Sequence, residues 1–225
     1  MSADAKKARL IVALDVDTWR TAKDLVDILY PRVKIFKVGF QLFVAHGPRA
    51  VEYIRKKGGD VFLDLKFHDI PNTVAAAVRS AAGLGVKMLT LHIGGGEDMM
   101  KAACAAAKDE AGRIKTERPL LIGVTVLTSQ EATKEEVLGL ANIGLNCGLD
   151  GVVCSVREAG FLRESINKEF LIVTPGIRPN GAPRDDQKRT ATVDEAVSAG
   201  SDFLVVGRPI VAADDPVRAA GKFLR

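Results

Sequence analysis

Short apolar runs alternate with longer amphipathic stretches along the whole 225-residue chain. The apolar runs are rich in Val, Ile and Leu, as buried parallel strands are. They read as strands at 9–15, 35–39, 60–66, 88–92, 120–127, 151–155, 170–175 and 203–207. The stretches between them bring apolar residues back to one face of a helix. They predict helices at 20–29, 48–57, 72–83, 97–111, 134–147, 157–166, 193–199 and 215–224. Glycines mark the helix stops, as in Lys57-Gly58-Gly59, Gly83-Leu84-Gly85 and Gly200.

Eight strands, each followed by a helix, fit a (β/α)8 TIM barrel better than an open sheet. An open dinucleotide-binding sheet would carry Gly-x-Gly-x-x-Gly after its first strand. This chain reads Asp15-Val16-Asp17-Thr18-Trp19 there. No low-complexity linker or shift of composition divides the sequence. One domain over residues 1–225 is therefore expected, with a flexible N-terminus at 1–7.

Polar residues interrupt six of the strands near their C-terminal ends. Asp15 ends the first, Lys37 lies in the second, and Asp64 and Lys66 end the third. Thr128 and Ser129 follow the fifth, Gly176 and Arg178 follow the seventh, and Arg208 ends the eighth. Barrel enzymes build their sites on this face. The densest group is Asp64-Leu65-Lys66-Phe67-His68-Asp69. Two apart on a strand, Asp64 and Lys66 leave the same face. Asp69 follows where Ile70-Pro71-Asn72-Thr73 signals a turn into the next helix. A strand that buries Val61, Leu63 and Leu65 has no structural need of this triplet. One reading is a surface ion-pair network capping the helix. The other is a site where a lysine is held cationic by flanking carboxylates.

The segment from Thr174 to Arg189 is polar, rich in Gly and Pro, and long for a barrel loop. It reads either as a surface insertion or as a lid over a ligand at 177–190. Gly207-Arg208 lies on the next strand. A glycine that admits backbone N–H groups and an arginine fork suit a phosphate monoester. The loops after strands seven and eight are the usual phosphate site of such barrels. Gln187, Gly207, Arg208 and Arg178 are therefore expected to hold a phosphate. His92-Ile93-Gly94-Gly95-Gly96 after strand four is a tight turn into a helix or a second anion-binding turn. His46 and His68 stand isolated, and with His92 they form no metal-ligand spacing. A Gly-x-Ser-x-Gly elbow is missing.

Composition narrows the classes further. Hydrophobic residues make up 47% but aromatics only 5%, so the core is mostly aliphatic. Lys and Arg total 32 against 28 Asp and Glu, and the excess of +4 is spread along the chain. That balance favours a small anionic ligand and argues against nucleic acid. Cys104, Cys147 and Cys154 are odd in number and lack metal-type spacing, which fits reduced thiols in a cytoplasmic protein. No apolar run is long enough to span a membrane, and the N-terminus has no signal-type apolar core.

Several motifs, in order, resemble the bacterial orotidine 5′-phosphate decarboxylase family. They are Asp15, Lys37, Asp64-x-Lys66-x-x-Asp69-Ile70-Pro71-x-Thr73, Val124-Thr125-x-Leu127-Thr128-Ser129, Pro175-Gly176-Ile177-Arg178, Gln187 and Val206-Gly207-Arg208. The resemblance runs from about residue 9 to the C-terminus. Asp-x-Lys-x-x-Asp alone marks a wider suprafamily that includes 3-keto-gulonate 6-phosphate decarboxylase and hexulose 6-phosphate synthase. Those metal-dependent relatives carry an acidic residue on the second strand, where this chain has Lys37. Ile70-Pro71 and Leu127-Thr128-Ser129 also look like the orotidylate branch.

The resemblance implies decarboxylation of orotidine 5′-monophosphate to UMP, the last step of de novo pyrimidine synthesis, with neither metal nor organic cofactor. It assigns Lys66 as proton donor to C6, Asp64 and Asp69 as the carboxylates that keep it charged, and Lys37 as a balancing charge within reach of the ribose. Asp15 would accept from a ribose hydroxyl, and Thr128 would read the pyrimidine edge. Asp64, Pro175, Arg178, Gln187, Gly207 and Arg208 would also meet the substrate. Asp69, Ile70 and Thr73 would reach into a neighbouring subunit's site, which implies a homodimer. Two alternatives stand beside this reading. One is a metal-dependent phosphosugar decarboxylase or aldolase of the same suprafamily, and the other is a non-catalytic phosphate-ligand-binding barrel.

Overall fold

Strands that are apolar on both faces need cover on both, and closing the sheet supplies it. The computed structural model describes residues 8–127, 129–179 and 190–224. Its eight strands pair in parallel in sequence order, and the last returns to the first. They are β1 (Arg9–Ala13), β2 (Ile35–Gly39), β3 (Asp60–Phe67), β4 (Met88–His92), β5 (Leu120–Val124), β6 (Gly151–Val153), β7 (Leu171–Thr174) and β8 (Phe203–Val206). One set of alternate residues, including Ile11, Ile35, Phe62, Met88, Ile122 and Phe203, packs inside the barrel. The other set, including Val12, Phe36, Leu63, Leu89 and Leu204, packs outward beneath the helices. The expected (β/α)8 TIM barrel is the observed fold.

The helices are α1 (Trp19–Leu29), α2 (Phe40–His46), α3 (Pro48–Lys56), α4 (Pro71–Gly83), α5 (Glu97–Ile114), α6 (Lys134–Asn146), α7 (Val156–Ser165), α8 (Val193–Ser198), α9 (Arg208–Val211) and α10 (Pro216–Gly221). Their starts follow from local chemistry. Thr18 caps α1 by accepting from the Thr21 N–H at 3.0 Å. Thr133 with Glu136 and Thr192 with Glu195 form reciprocal capping boxes at α6 and α8. On α1 the buried residues are Ala22, Leu25, Val26 and Leu29, the stripe that the amphipathic period predicts. No helix among the described residues is long and apolar enough to cross a membrane.

Several boundaries differ from the sequence reading. β1 stops at Ala13, two residues before Asp15, because its ladder to β2 ends at Ala13–Lys37. β5 stops at Val124, where its pairing with β4 ends, so Thr125 to Leu127 belong to the loop. β8 ends at Val206. Gly207 then caps α9, so Arg208 opens a short helix and does not end the strand. α5 runs on to Ile114, where Lys115 closes it in a left-handed conformation. The short helices α2 and α9 were not legible. α2 buries only Leu42, and α9 has four residues, too few to show a period.

Candidate active site

Inward alternation carries past the apolar floor to the strand ends. Ala13, Phe62, Val173 and Val205 border a cavity of about 430 Å³ at the C-terminal mouth of the barrel. Above them, at the same inward parity, stand Asp15, Lys37, Asp64, Pro175 and Gly207, and Lys66, Gly176, Arg178 and Arg208 also line the cavity. Residues from β1, β2, β3, β7 and β8 are thus brought to one opening.

Four charges form a chain across it. The Lys37 ammonium donates to Asp15 Oδ1 at 2.9 Å and lies 3.6 Å from Asp64 Oδ2. The Lys66 ammonium donates to Asp64 Oδ1 at 2.8 Å. Lys37 and Asp64 are nearly buried, at 10% and 13% side-chain exposure, whereas Asp15 at 49% is open to solvent. Burial pushes the Asp64 carboxyl up, but the Lys37 and Lys66 ammoniums, with hydrogen bonds from Lys66 and Thr90, outweigh it. The carboxyl therefore sits below the ordinary aspartate value. Such a group stays ionised in a low-dielectric site and holds the neighbouring cations in place.

The backbone beneath this chain is irregular. Simple alternation from Asp64 to Lys66 does not describe it, which corrects the sequence argument. β3 pairs with β4 at Leu63–Leu89 and again at Phe67–Leu91, so three β3 residues face the single residue Thr90. Lys66 takes φ +43°, a left-handed conformation that L-residues seldom adopt. Leu65 is in consequence only half-buried. Thr90, which the sequence reading passed over, is fully buried and bonds both Asp64 and Lys66. Its signal was a hydroxyl between Leu89 and Leu91 at inward parity. Gly39 was also missed. A Cβ there would lie 2.8 Å from Lys37 Nζ and 3.1 Å from Asp15 Oδ1, so its absence makes room for that ion pair.

The remaining expected residues fall in three groups. Arg178 is buried, its N–H donating to Ala191 O at 2.9 Å, so Gly176–Arg178 and Ala191 clamp the base of the loop together. Asp69, Ile70 and Thr73 do not line the cavity. Asp69 accepts from the Ile70 N–H at 2.6 Å, and Ile70 is 66% exposed. All three are exposed to solvent. Thr128, Gln187 and most of the 177–190 segment lie outside the described residues, as do residues 1–7. His46 and His68, isolated in the sequence and expected to be structural or exposed, each make a ring contact in the fold. His68 packs against His92 with ring centroids 5.4 Å apart, and His46 packs against Trp19 at 5.7 Å. Burial holds the His92 imidazole below its ordinary value, and the neighbouring His68 and Lys66 charges add to this. Ile93–Gly95 is a single 3-10 turn leading into α5.

The sequence matches the family model described as "Orotidine 5'-phosphate decarboxylase / HUMPS family" over residues 8–223. A relative named orotidine 5′-phosphate decarboxylase from Moorella thermoacetica is 48% identical over 226 residues, covering 95% of this chain and 90% of that protein. Among solved structures, orotidine 5′-phosphate decarboxylase from Lactobacillus acidophilus superposes with a TM-score of 0.79 at 36% identity, covering 96% and 99% of the two chains. An uncharacterized conserved protein from Geobacillus kaustophilus gives a TM-score of 0.82 at 34% identity, covering 95% and 97%. The barrel, the charge chain at its mouth and these matches together mean that the chain belongs to the orotidine 5′-phosphate decarboxylase / HUMPS family.

Proposed function

We propose that this protein decarboxylates orotidine 5′-monophosphate to UMP, with Lys66 as the proton donor. One observation carries the reading: a lysine bonded at 2.8 Å to a nearly buried aspartate, within an alternating chain of two carboxylates and two ammoniums, at the open end of a barrel. Breaking the C6–CO₂ bond leaves an electron pair in the plane of the uracil ring. The ring π-system stabilises that pair poorly, and no Schiff base can form at that carbon. The protein must then supply electrostatics and a proton. Lys66 gives its proton to C6, CO₂ departs, and the neutral amine recovers a proton from water.

Asp64 holds Lys66 charged and oriented until that transfer. Lys37 offsets the carboxylates and meets the ribose, whose hydroxyl Asp15 accepts. Gly207, Arg208, Arg178 and Gln187 grip the phosphate, and that binding energy stabilises a transition state formed at the other end of the substrate. Pro175 and Thr128 border the base. Asp69, Ile70 and Thr73, exposed between the end of β3 and the first turn of α4, complete the site of a second copy. A homodimer of one barrel domain per chain, working in the cytoplasm, is the assembly that fits these residues and the unpaired thiols.

The metal-dependent branch of the family is the rival. A cation would need carboxylates that Lys37 and Lys66 already neutralise, so the donor set suits a metal poorly. The test is to add purified, chelator-treated protein to orotidine 5′-monophosphate. The expected result is loss of the substrate's absorbance, with UMP and CO₂ formed in equal amounts. No turnover in any condition would overturn the function. Turnover that appears only with Mg²⁺ would overturn the metal-free mechanism.

A further inference from the structure

Resting on the decarboxylase reading above, we infer that Thr90 is a positioning residue whose single hydroxyl locks both the Asp64 carboxylate and the Lys66 backbone, and so aims the Lys66 ammonium. The register of β3 and β4 sets the problem. Between Leu63–Leu89 and Phe67–Leu91, the three residues Asp64, Leu65 and Lys66 face Thr90 alone. A bulge of this kind removes ladder hydrogen bonds, and it falls where the strand must carry its two charged groups. The Lys66 N–H falls inside this break in the ladder, at a residue whose φ is +43°. It donates to Thr90 Oγ1 at 2.9 Å. A buried amide without an acceptor would be costly, so the hydroxyl takes the place of a ladder carbonyl.

The same hydroxyl has one proton to give, and it donates that proton to Asp64 Oδ1 at 3.0 Å. Asp64 Oδ1 also accepts from Lys66 Nζ at 2.8 Å. These three bonds close a ring through the Lys66 backbone, the Thr90 hydroxyl, the Asp64 carboxylate and the Lys66 ammonium. Thr90 is fully buried, so water has no access to replace the hydroxyl. Removing it frees the carboxylate to rotate and the lysine backbone to relax, and both displace the ammonium. The groups assigned to ribose and phosphate lie on other strands and are not touched by Thr90.

Thr90→Val keeps the branched shape and removes only the hydroxyl. Losing a hydrogen bond to a charged group predicts a roughly tenfold to hundredfold fall in kcat. UMP affinity and KM should stay within about twofold, and Thr90→Ser should restore kcat to within about threefold of wild type. A kcat for Thr90→Val within twofold of wild type would overturn the inference, as would equal losses in Val and Ser. If Thr90→Val does not fold, Thr90→Ala against Thr90→Ser isolates the same hydroxyl, because both lack the methyl. Amide exchange at Lys66 tests the lock without turnover. The amide should be protected in wild type and Thr90→Ser and fast in Thr90→Val. A wild type inactive on orotidine 5′-monophosphate would defeat the functional reading, whereas active wild type with indifferent Thr90 variants would defeat only this inference.

Discussion

Asp64 shows how the site resolves a conflict of two effects. Burial favours its neutral form, and two ammoniums with two hydrogen bonds favour the charged form and prevail. The sign of the pH effect follows. A carboxyl below its ordinary value of 3.8 contributes stability that is complete above that value and is lost as pH falls through the lower folded value. The difference in urea midpoint between wild type and Asp64→Asn should therefore hold steady from about pH 8 to pH 5 and narrow only below about pH 4. Narrowing that starts above pH 5 would mean that burial wins. Residues of this kind were legible because a charge inside an apolar strand has no cheap structural explanation, as with Lys37 and Asp64. Thr90 and Gly39 were not. A threonine is common in strands, and what matters about Gly39 is the Lys37 ammonium occupying the space its Cβ would fill.

At the scale of elements, the eight strands and eight of the helices could be read from periodicity and glycine stops, because each buries a stripe or a face. What escaped were features set by neighbours. The strand ends are fixed by where a partner strand stops pairing, as at Ala13–Lys37, and no residue in β1 records that. The bulge opposite Thr90 depends on the register of two strands far apart in sequence. It nonetheless decides how Asp64 and Lys66 meet, since plain alternation would have left Lys66 in an ordinary extended conformation. Helix α9 escaped for a simpler reason. Pro209 at its first turn and an arginine before it resemble a loop until Gly207 caps the helix.

At the scale of the whole molecule, the exposure of Asp69 bears on assembly. Its carboxylate accepts from the Ile70 N–H, whereas the carboxylate that bonds Lys66 is Asp64, and Ile70 itself is exposed. If it completes a second chain's site, Lys66→Ala and Asp69→Ala chains should complement each other. Each is expected to be nearly inactive alone. Dissociated, mixed and reassociated, they should regain activity, because one site of each mixed dimer receives both intact residues. Mixed dimers verified by mass that stay inactive would restrict Asp69 to its own chain. The most direct test of the account is turnover of orotidine 5′-monophosphate by Lys66→Ala beside wild type under chelation, with UMP affinity measured on both. The account predicts rapid turnover by wild type, and by the variant none above the uncatalysed reaction while UMP still binds. Near-normal turnover by Lys66→Ala would contradict it.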